Sequence, residues 1–109
     1  MDMADDLSAS ELRDQIAART APVILDVRSR QEFAQGHVPG AIHVPFWRVA
    51  AGSGKLFAFK DSRIIVYCEH GPRAYIAGSA LRRRGFKSVA YLVGHMKNWR
   101  SMKFPLEVG

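Results

Sequence analysis

A single cysteine, Cys68, stands in a chain of 109 residues. It leaves no partner for an internal disulfide, so nothing in the chain requires an oxidising compartment. Long hydrophobic runs are missing too. No apolar stretch approaches the ~20 residues that a membrane-spanning helix needs. The segment Met1-Asp2-Met3-Ala4-Asp5-Asp6 is acidic and lacks the basic patch and apolar stretch of a secretory signal. The expectation is a cytoplasmic protein without membrane association, in which residues 1–6 lack fixed structure. Repeats and low-complexity segments are absent, and the length suits one domain, 1–109, with one hydrophobic core. Structural zinc usually takes several cysteines at close spacing. One cysteine with the scattered His37, His43 and His70 does not meet that requirement, so no metal is expected.

What the chain does contain is ordinary for a globular protein: 48% apolar and 24% charged residues. Its charge is unevenly spread. Residues 1–54 hold five arginines and seven Asp or Glu, net −2, whereas residues 55–109 hold eleven Lys or Arg and three Asp or Glu, net +8. Cys68 lies in the basic half. A positive field draws small anions or an acidic protein partner toward a cleft, and a basic surface also serves solubility; the balance alone does not choose between them.

Alternating element signals run along the chain. Ser8-Ala9-Ser10-Glu11 has the spacing of a capping box, followed by a short helix to about Arg19 that Ala21-Pro22 breaks. Val23–Val27 reads as a buried strand, Ser29–Phe33 as the start of a short helix, and Gly36–Gly40 as a turn. Ala41–Val44 is a short strand stopped by Pro45. Phe46–Val49 reads as one helical turn, Ala51–Gly54 as a flexible loop, and Leu56–Phe59 as an apolar cover. Arg63–Tyr67 is a strand, Ala74–Arg84 a helix with Ile76, Ala77, Ala80 and Leu81 on its apolar face, and Gly85 its stop. A strand at Val89–Val93 and a helix over 95–101 follow, and Pro105 is expected to close the ordered part. Apolar strands alternating with helices indicate an α/β fold, a mainly parallel central sheet with helices on both faces. Such sheets bind ligands at the carboxyl ends of their strands.

Cys68 falls at one of those ends. The run Ile64-Ile65-Val66-Tyr67 leads into it, and Glu69-His70-Gly71-Pro72-Arg73 links it to a helix. A tight turn of this kind tends to aim backbone N–H groups inward, a concavity that binds anions and favours a thiolate. Pro72 suits a first helical position and Gly71 a conformation closed to other residues. Arg73 offers a planar fork to an oxyanion. A free cysteine is also among the most buried of residues; the Gly-Pro-Arg and helix that follow favour a reactive sulfur over an inert one.

Four segments, in order, resemble the single-domain rhodaneses, a family of persulfide-forming sulfurtransferases. They are Val23–Arg28 with Glu32-Phe33, then Gly36-His37-Val38-Pro39-Gly40-Ala41-Ile42, the loop Cys68-x-x-Gly71-x-Arg73, and Gly85–Val89 with Leu92-Val93-Gly94 through Trp99. The resemblance implies the rhodanese-like fold and a Cys68 that takes sulfane sulfur from a small anionic, thiosulfate-like donor. It implies a persulfide that passes its outer sulfur to cyanide or a thiol. In that reading Glu69, His70, Gly71, Pro72 and Arg73 form the binding loop, whose backbone N–H groups (all but that of Pro72, which has none) hold the sulfur atoms, Arg73 orients the donor, Asp26 and Arg28 support the site, and His37–Gly40 are structural. No cofactor is implied. Four residues separate Cys68 from Arg73, whereas related phosphatases and arsenate reductases place five there; the tighter ring suits sulfur better than a tetrahedral phosphate.

The chain also departs from the pattern. His95 stands where a second glycine is common, Ala74 where Ser or Thr is frequent, and Glu69 would repel an anionic donor if it pointed inward. His70 reads as a proton donor or a solvent-exposed bystander. Arg82-Arg83-Arg84 reads as a solvated helix face rather than a nucleic-acid contact, and Trp47 and Trp99 read as core. A different class of function stays open, a weakly catalytic or non-catalytic sulfur-carrier or sensing module that binds a protein partner.

Overall fold

In the computed structural model, which describes residues 5–52 and 54–109, four apolar runs pair as parallel strands. They are β1 (Val23–Asp26), β2 (Ile42–His43), β3 (Arg63–Tyr67) and β4 (Ser88–Tyr91). Their order across the sheet is β2-β1-β3-β4, and the register sets Leu25 beside Val66 and Val66 beside Tyr91. The expected mainly parallel sheet is parallel throughout the described strands.

The two-residue period of a strand sends neighbouring side chains to opposite faces. Leu25, Val27, Ile64, Val66, Val89 and Tyr91 therefore enter one core cluster, and Ile24, Ile65, Tyr67, Ala90 and Leu92 enter another. Helices α3 (Phe46–Ala51) and α4 (Pro72–Arg83) cover the first face through Val49, Ala74, Ala77, Ala80 and Leu81. Helices α1 (Ala9–Ala17) and α5 (His95–Ser101) cover the second through Ala9, Leu12, Met96 and Trp99. Helix α2 (Arg30–Gln35) buries no residue and lies between β1 and β2 in the chain.

Local signals placed several elements well. Ser8 and Glu11 close the capping box of α1, and Ser29 and Glu32 close one on α2. In each, the hydroxyl accepts the third N–H of the helix and the carboxylate accepts the N–H of the cap residue.

Tertiary context corrected other readings. Trp99 is buried, but Trp47 is 58% exposed and is not core. Ile76 is also exposed, because the buried stripe of α4 runs through Ala74, Ala77, Gly78, Ala80 and Leu81. The expected loop over 51–54 is mostly helix termini: Ala51 ends α3, Gly52 caps it at φ 92°, and Gly54 starts a 3-10 helix, Gly54–Phe59. Ser53 lies outside the described residues. Leu56 in that helix is buried, whereas Phe57 is exposed.

Neither end stops where the sequence suggested. Residues 1–4 of the expected unstructured segment 1–6 lie outside the described residues. Asp5 and Asp6, by contrast, are tied in: the Asp5 carbonyl accepts from Arg63, and the Asp6 carboxylate accepts the Tyr91 N–H at 3.0 Å. Beyond Pro105 the chain still pairs. His37 and Glu107 exchange backbone hydrogen bonds at 2.9 and 3.0 Å, and the Gly109 N–H donates to the Ala34 carbonyl. No helix among the described residues is long and apolar enough to cross a membrane.

Candidate active site

The order β2-β1-β3-β4 contains a reversal. From β1 the chain steps outward to β2, then returns to the other side of β1 for β3 and β4. At such a switch point the connections leaving the strand ends diverge and open a crevice. Asp26 and Arg28 stand at the end of β1, and Cys68 at the end of β3. The strand ends on either side of this switch point therefore carry residues that the sequence had marked out separately.

Cys68 is buried and free. Its sulfur accepts the Gly71 N–H at 2.9 Å, the single hydrogen bond made to it among the described residues. Gly71 adopts φ 131°, and a side chain there would press on the Tyr75 ring and on His95 Nε2. Both backbone polar groups of Cys68 are held by α5: its N–H donates to His95 Nδ1 at 3.2 Å, and its carbonyl accepts the Met96 N–H at 3.0 Å. Pro72 is the first residue of α4, as its missing N–H suits. His70 is exposed.

A network of charge surrounds this loop. Arg28, 1% exposed, grips the fully buried Asp26 through Nε and Nη2, the shortest contact being 2.8 Å. Its Nη2 also donates to the Gly36 carbonyl, and its Nη1 to Glu69 at 3.3 Å. Burial is the largest single influence and works against the Arg28 cation, but Asp26, with Tyr67 and Glu69, outweighs it and the net shift favours the charged form. Burial likewise pushes the Tyr67 hydroxyl well above its ordinary range, and Asp26 adds to the effect. That hydroxyl accepts the Val38 N–H, which joins the Gly36–Gly40 turn to β3.

Glu69 does not point freely at the sulfur or at solvent. Arg100 of α5 holds both its oxygens, at 2.7 and 3.1 Å, and with Arg28 keeps its carboxyl below the usual range despite partial burial. Arg73 is also taken: Glu32 of α2 receives it at 2.6 and 3.0 Å. The Arg73 contact is the main reason the Glu32 carboxyl falls to about 2, with the Ser29 cap adding to it. A cleft of about 380 Å3 adjoins the loop, walled by Arg28, Glu32, Gln35, Gly36, Glu69 and Arg100. Cys68 is not among its walls. Each of its guanidinium groups already faces a carboxylate.

His95 begins α5 with φ 54°, a left-handed conformation uncommon outside glycine, and is nearly buried. Burial lowers its pKa, outweighing the pull of Asp6. Because Nδ1 accepts the Cys68 N–H, the neutral ring carries its proton on Nε2. Tyr75 meets the ring edge-on at 5.8 Å.

The family model for the rhodanese-like domain matches residues 8–102. The chain belongs to the rhodanese-like domain family. A "Sulfurtransferase" from Allochromatium vinosum is 26% identical over 95% of this chain and 95% of its own length. "Thiosulfate sulfurtransferase GlpE" of Coxiella burnetii is 32% identical over 72% of each chain. The "Putative sulfur carrier protein YrkF" of Bacillus subtilis is 28% identical over 86% of this chain, which spans only 50% of that relative. Among solved structures, the Alr3790 protein from Anabaena sp. superposes with TM-score 0.82 at 27% identity, covering 94% of this chain and 82% of the other. A rhodanese-related protein from Thermoplasma volcanium gives TM-score 0.78 at 25% identity, covering 95% and 98%.

Within this rhodanese-like domain the residues marked by sequence, Asp26, Arg28, Cys68, Glu69, Gly71 and Arg73, converge on one rim. Two expectations about their disposition change. The loop amides do not yet form a ring about the sulfur, since Gly71 alone reaches it. Arg73 is not aimed at an open donor position, since Glu32 holds it. Sequence reasoning gave no role to Arg100 and saw Glu32 only as part of a motif. Their partners lie 31 and 41 positions away, and no local spacing announces such pairs.

Proposed function

We propose that this rhodanese-like domain is a sulfurtransferase working through a persulfide on Cys68. The observation that carries this reading is the Cys68 sulfur at the switch point between β1 and β3, receiving a backbone N–H at 2.9 Å from a loop that has four residues between Cys68 and Arg73. A backbone donor stabilises negative charge on sulfur. The Cys68 thiolate attacks the outer sulfur of a thiosulfate-like donor, the donor's S–S bond breaks, and sulfite leaves with the electron pair. Cyanide or a thiolate then attacks the outer persulfide sulfur, and the pair of that S–S bond returns to Cys68. Glu69, His70, Gly71, Pro72 and Arg73 form the loop that receives the donor, and Asp26 and Arg28 brace it through Glu69. The names borne by its relatives from Allochromatium vinosum and Coxiella burnetii support the chemistry.

A second reading has its own support. Every cation walling the cleft beside the loop is paired with a carboxylate, which suits a sulfur carrier that loads from a protein better than an enzyme that turns over free anions. The relative named as a putative sulfur carrier fits that view.

Intact mass after incubation with thiosulfate separates these readings. The enzyme gains one sulfur, loses it on adding cyanide with sulfite and thiocyanate produced repeatedly, and the Cys68→Ala variant gains none. Loading by polysulfide without turnover would favour the carrier. Absence of any adduct with thiosulfate, polysulfide or mercaptopyruvate would end both.

A further inference from the structure

A second cleft, of about 360 Å3, opens where the chain leaves β1 and β2, on the same carboxyl rim as Cys68. Ser29, Arg30, His43, Trp47, Arg48 and Lys55 wall it, and no carboxylate does. Arg30, Arg48 and Lys55 are exposed, and none of them is in an ion pair among the described residues. This is the reverse of the cleft beside Glu69, where each guanidinium is answered. Trp47, which packs into no core, is 58% exposed here, with the Arg48 guanidinium 5.4 Å from its ring centre. Exposed tryptophan beside arginine is the composition of a protein-binding hot spot rather than of a solvated surface. His43 Nε2 lies 2.7 Å from the Arg28 carbonyl. The cleft is thus one residue's backbone away from the guanidinium that holds Asp26 and Glu69.

We propose that this cleft docks an acidic segment of the protein that exchanges sulfur with Cys68, a step that rests on the sulfur-transfer reading above. The kind of partner follows from the geometry. Each cation is exposed, so a single contact is screened and contributes little. Useful affinity needs all three engaged at once, which an extended acidic segment can do and one small anion cannot. Nucleic acid fits less well. The nearest other basic run, Arg82-Arg83-Arg84, does not extend the patch as a free stripe: Arg82 is bonded to the Tyr91 hydroxyl and the Val89 carbonyl, and Arg84 to the Ala50 carbonyl. The overall charge asymmetry of the sequence did not point here, because Arg30 and Arg48 belong to its net-negative half.

The test uses the full chain and a glutamate-rich peptide ending in cysteine, against a glutamine-rich peptide of equal length. Binding is read from quenching of the exposed Trp47, and sulfur transfer from the mass of the peptide. The acidic peptide should be the better acceptor by about tenfold at low salt, and the advantage should fade as salt rises. In the Arg30→Glu/Arg48→Glu/Lys55→Glu variant the advantage should vanish while loading by thiosulfate and discharge to cyanide stay unchanged. Equal use of both peptides by the unaltered protein, or an advantage that survives charge reversal, would overturn the proposal. So would tighter binding of inorganic phosphate or of an oligonucleotide at this cleft. Should Cys68 fail to load at all, the sulfur-transfer reading falls, and peptide quenching abolished by charge reversal would still report the docking site on its own.

Discussion

The backbone N–H of Cys68 is paired with the imidazole of His95, Nδ1 at 3.2 Å, and with it the start of the sulfur loop is fastened to the start of α5. The pairing requires a neutral ring. Burial keeps the folded-state pKa of His95 below the ordinary imidazole value of 6.5, with His70 adding to the effect and Asp6 opposing it. In the interval between the depressed folded value and 6.5, the unfolded chain binds a proton that the folded chain does not. Stability therefore rises with pH across that interval and is lost as pH falls through it. Denaturant unfolding from about pH 7.5 down to about pH 5.5 should show this slope in the unaltered protein. His95→Asn should lack it, since asparagine tolerates the left-handed backbone and its oxygen can accept the same N–H. His95→Ala should lose about 1–3 kcal/mol at neutral pH, because the buried Cys68 donor is left without a partner. An identical pH slope in the Asn variant would contradict this account.

Glu69 sits between Arg28 and Arg100 as an internal anion. A dianionic donor entering the adjoining cleft meets cations already satisfied and a carboxylate of its own sign. Glu69→Gln removes the charge while keeping an acceptor for the two arginines. Initial-rate measurements should show KM for thiosulfate falling about fivefold, equivalent to about 1 kcal/mol, with a smaller change for the singly charged mercaptopyruvate. A rise in KM for both donors would instead make Glu69 a positioning group for the arginines.

How legible this was in the sequence depended on range. Ser8 with Glu11 is a local capping pair, and the start of α1 followed from it; Ser29 and Glu32 have the same spacing, and the structure closes a capping box there too. The strand Arg63–Tyr67 was readable because a β-branched run buried on both faces has few other uses. Cys68 could be placed at a strand end because Gly71 and Pro72 encode the turn in their own backbone chemistry. The Glu32–Arg73 and Glu69–Arg100 pairs could not be seen, since either glutamate is an unremarkable polar residue until the fold brings an arginine to it. Trp47 misled for the opposite reason: its size suggests burial, but α3 turns Val49 inward and leaves Trp47 on the rim. The segment after Pro105 was unreadable because its pairing partner, His37, is a tertiary neighbour.

Arg28 and Asp26 form a buried ion pair, 1% and 0% exposed at the side chain. Removing one partner strands the other charge in a low-dielectric interior. Arg28→Met should lower stability by about 3–5 kcal/mol in denaturant titrations. The double variant Asp26→Asn/Arg28→Met should recover part of that loss, since no buried charge remains. Arg28→Lys should fall between them, because one ammonium cannot serve Asp26, the Gly36 carbonyl and Glu69 together. Equal loss in the single and double variants would mean that packing, rather than charge, holds this corner.

Gly78 lies inside α4, where replacing glycine by alanine ordinarily stabilises a helix by about 1 kcal/mol. Here the sign should reverse. An added Cβ would collide with the hydroxyl of Tyr91, whose ring is buried beneath the helix and whose oxygen accepts from Arg82 at 3.0 Å. The tyrosine is rigid and cannot withdraw without moving β4, so Gly78→Ala should cost about 1–3 kcal/mol. Introduced into a Tyr91→Phe background, the same change should cost less, because the atom nearest the new methyl is gone. Thermal or denaturant unfolding of the four proteins in that cycle measures the coupling directly. A Gly78→Ala variant as stable as the parent in both backgrounds would show that α4 can rise off the sheet at no cost, and that the close approach of Gly78 to Tyr91 is not what sets this packing.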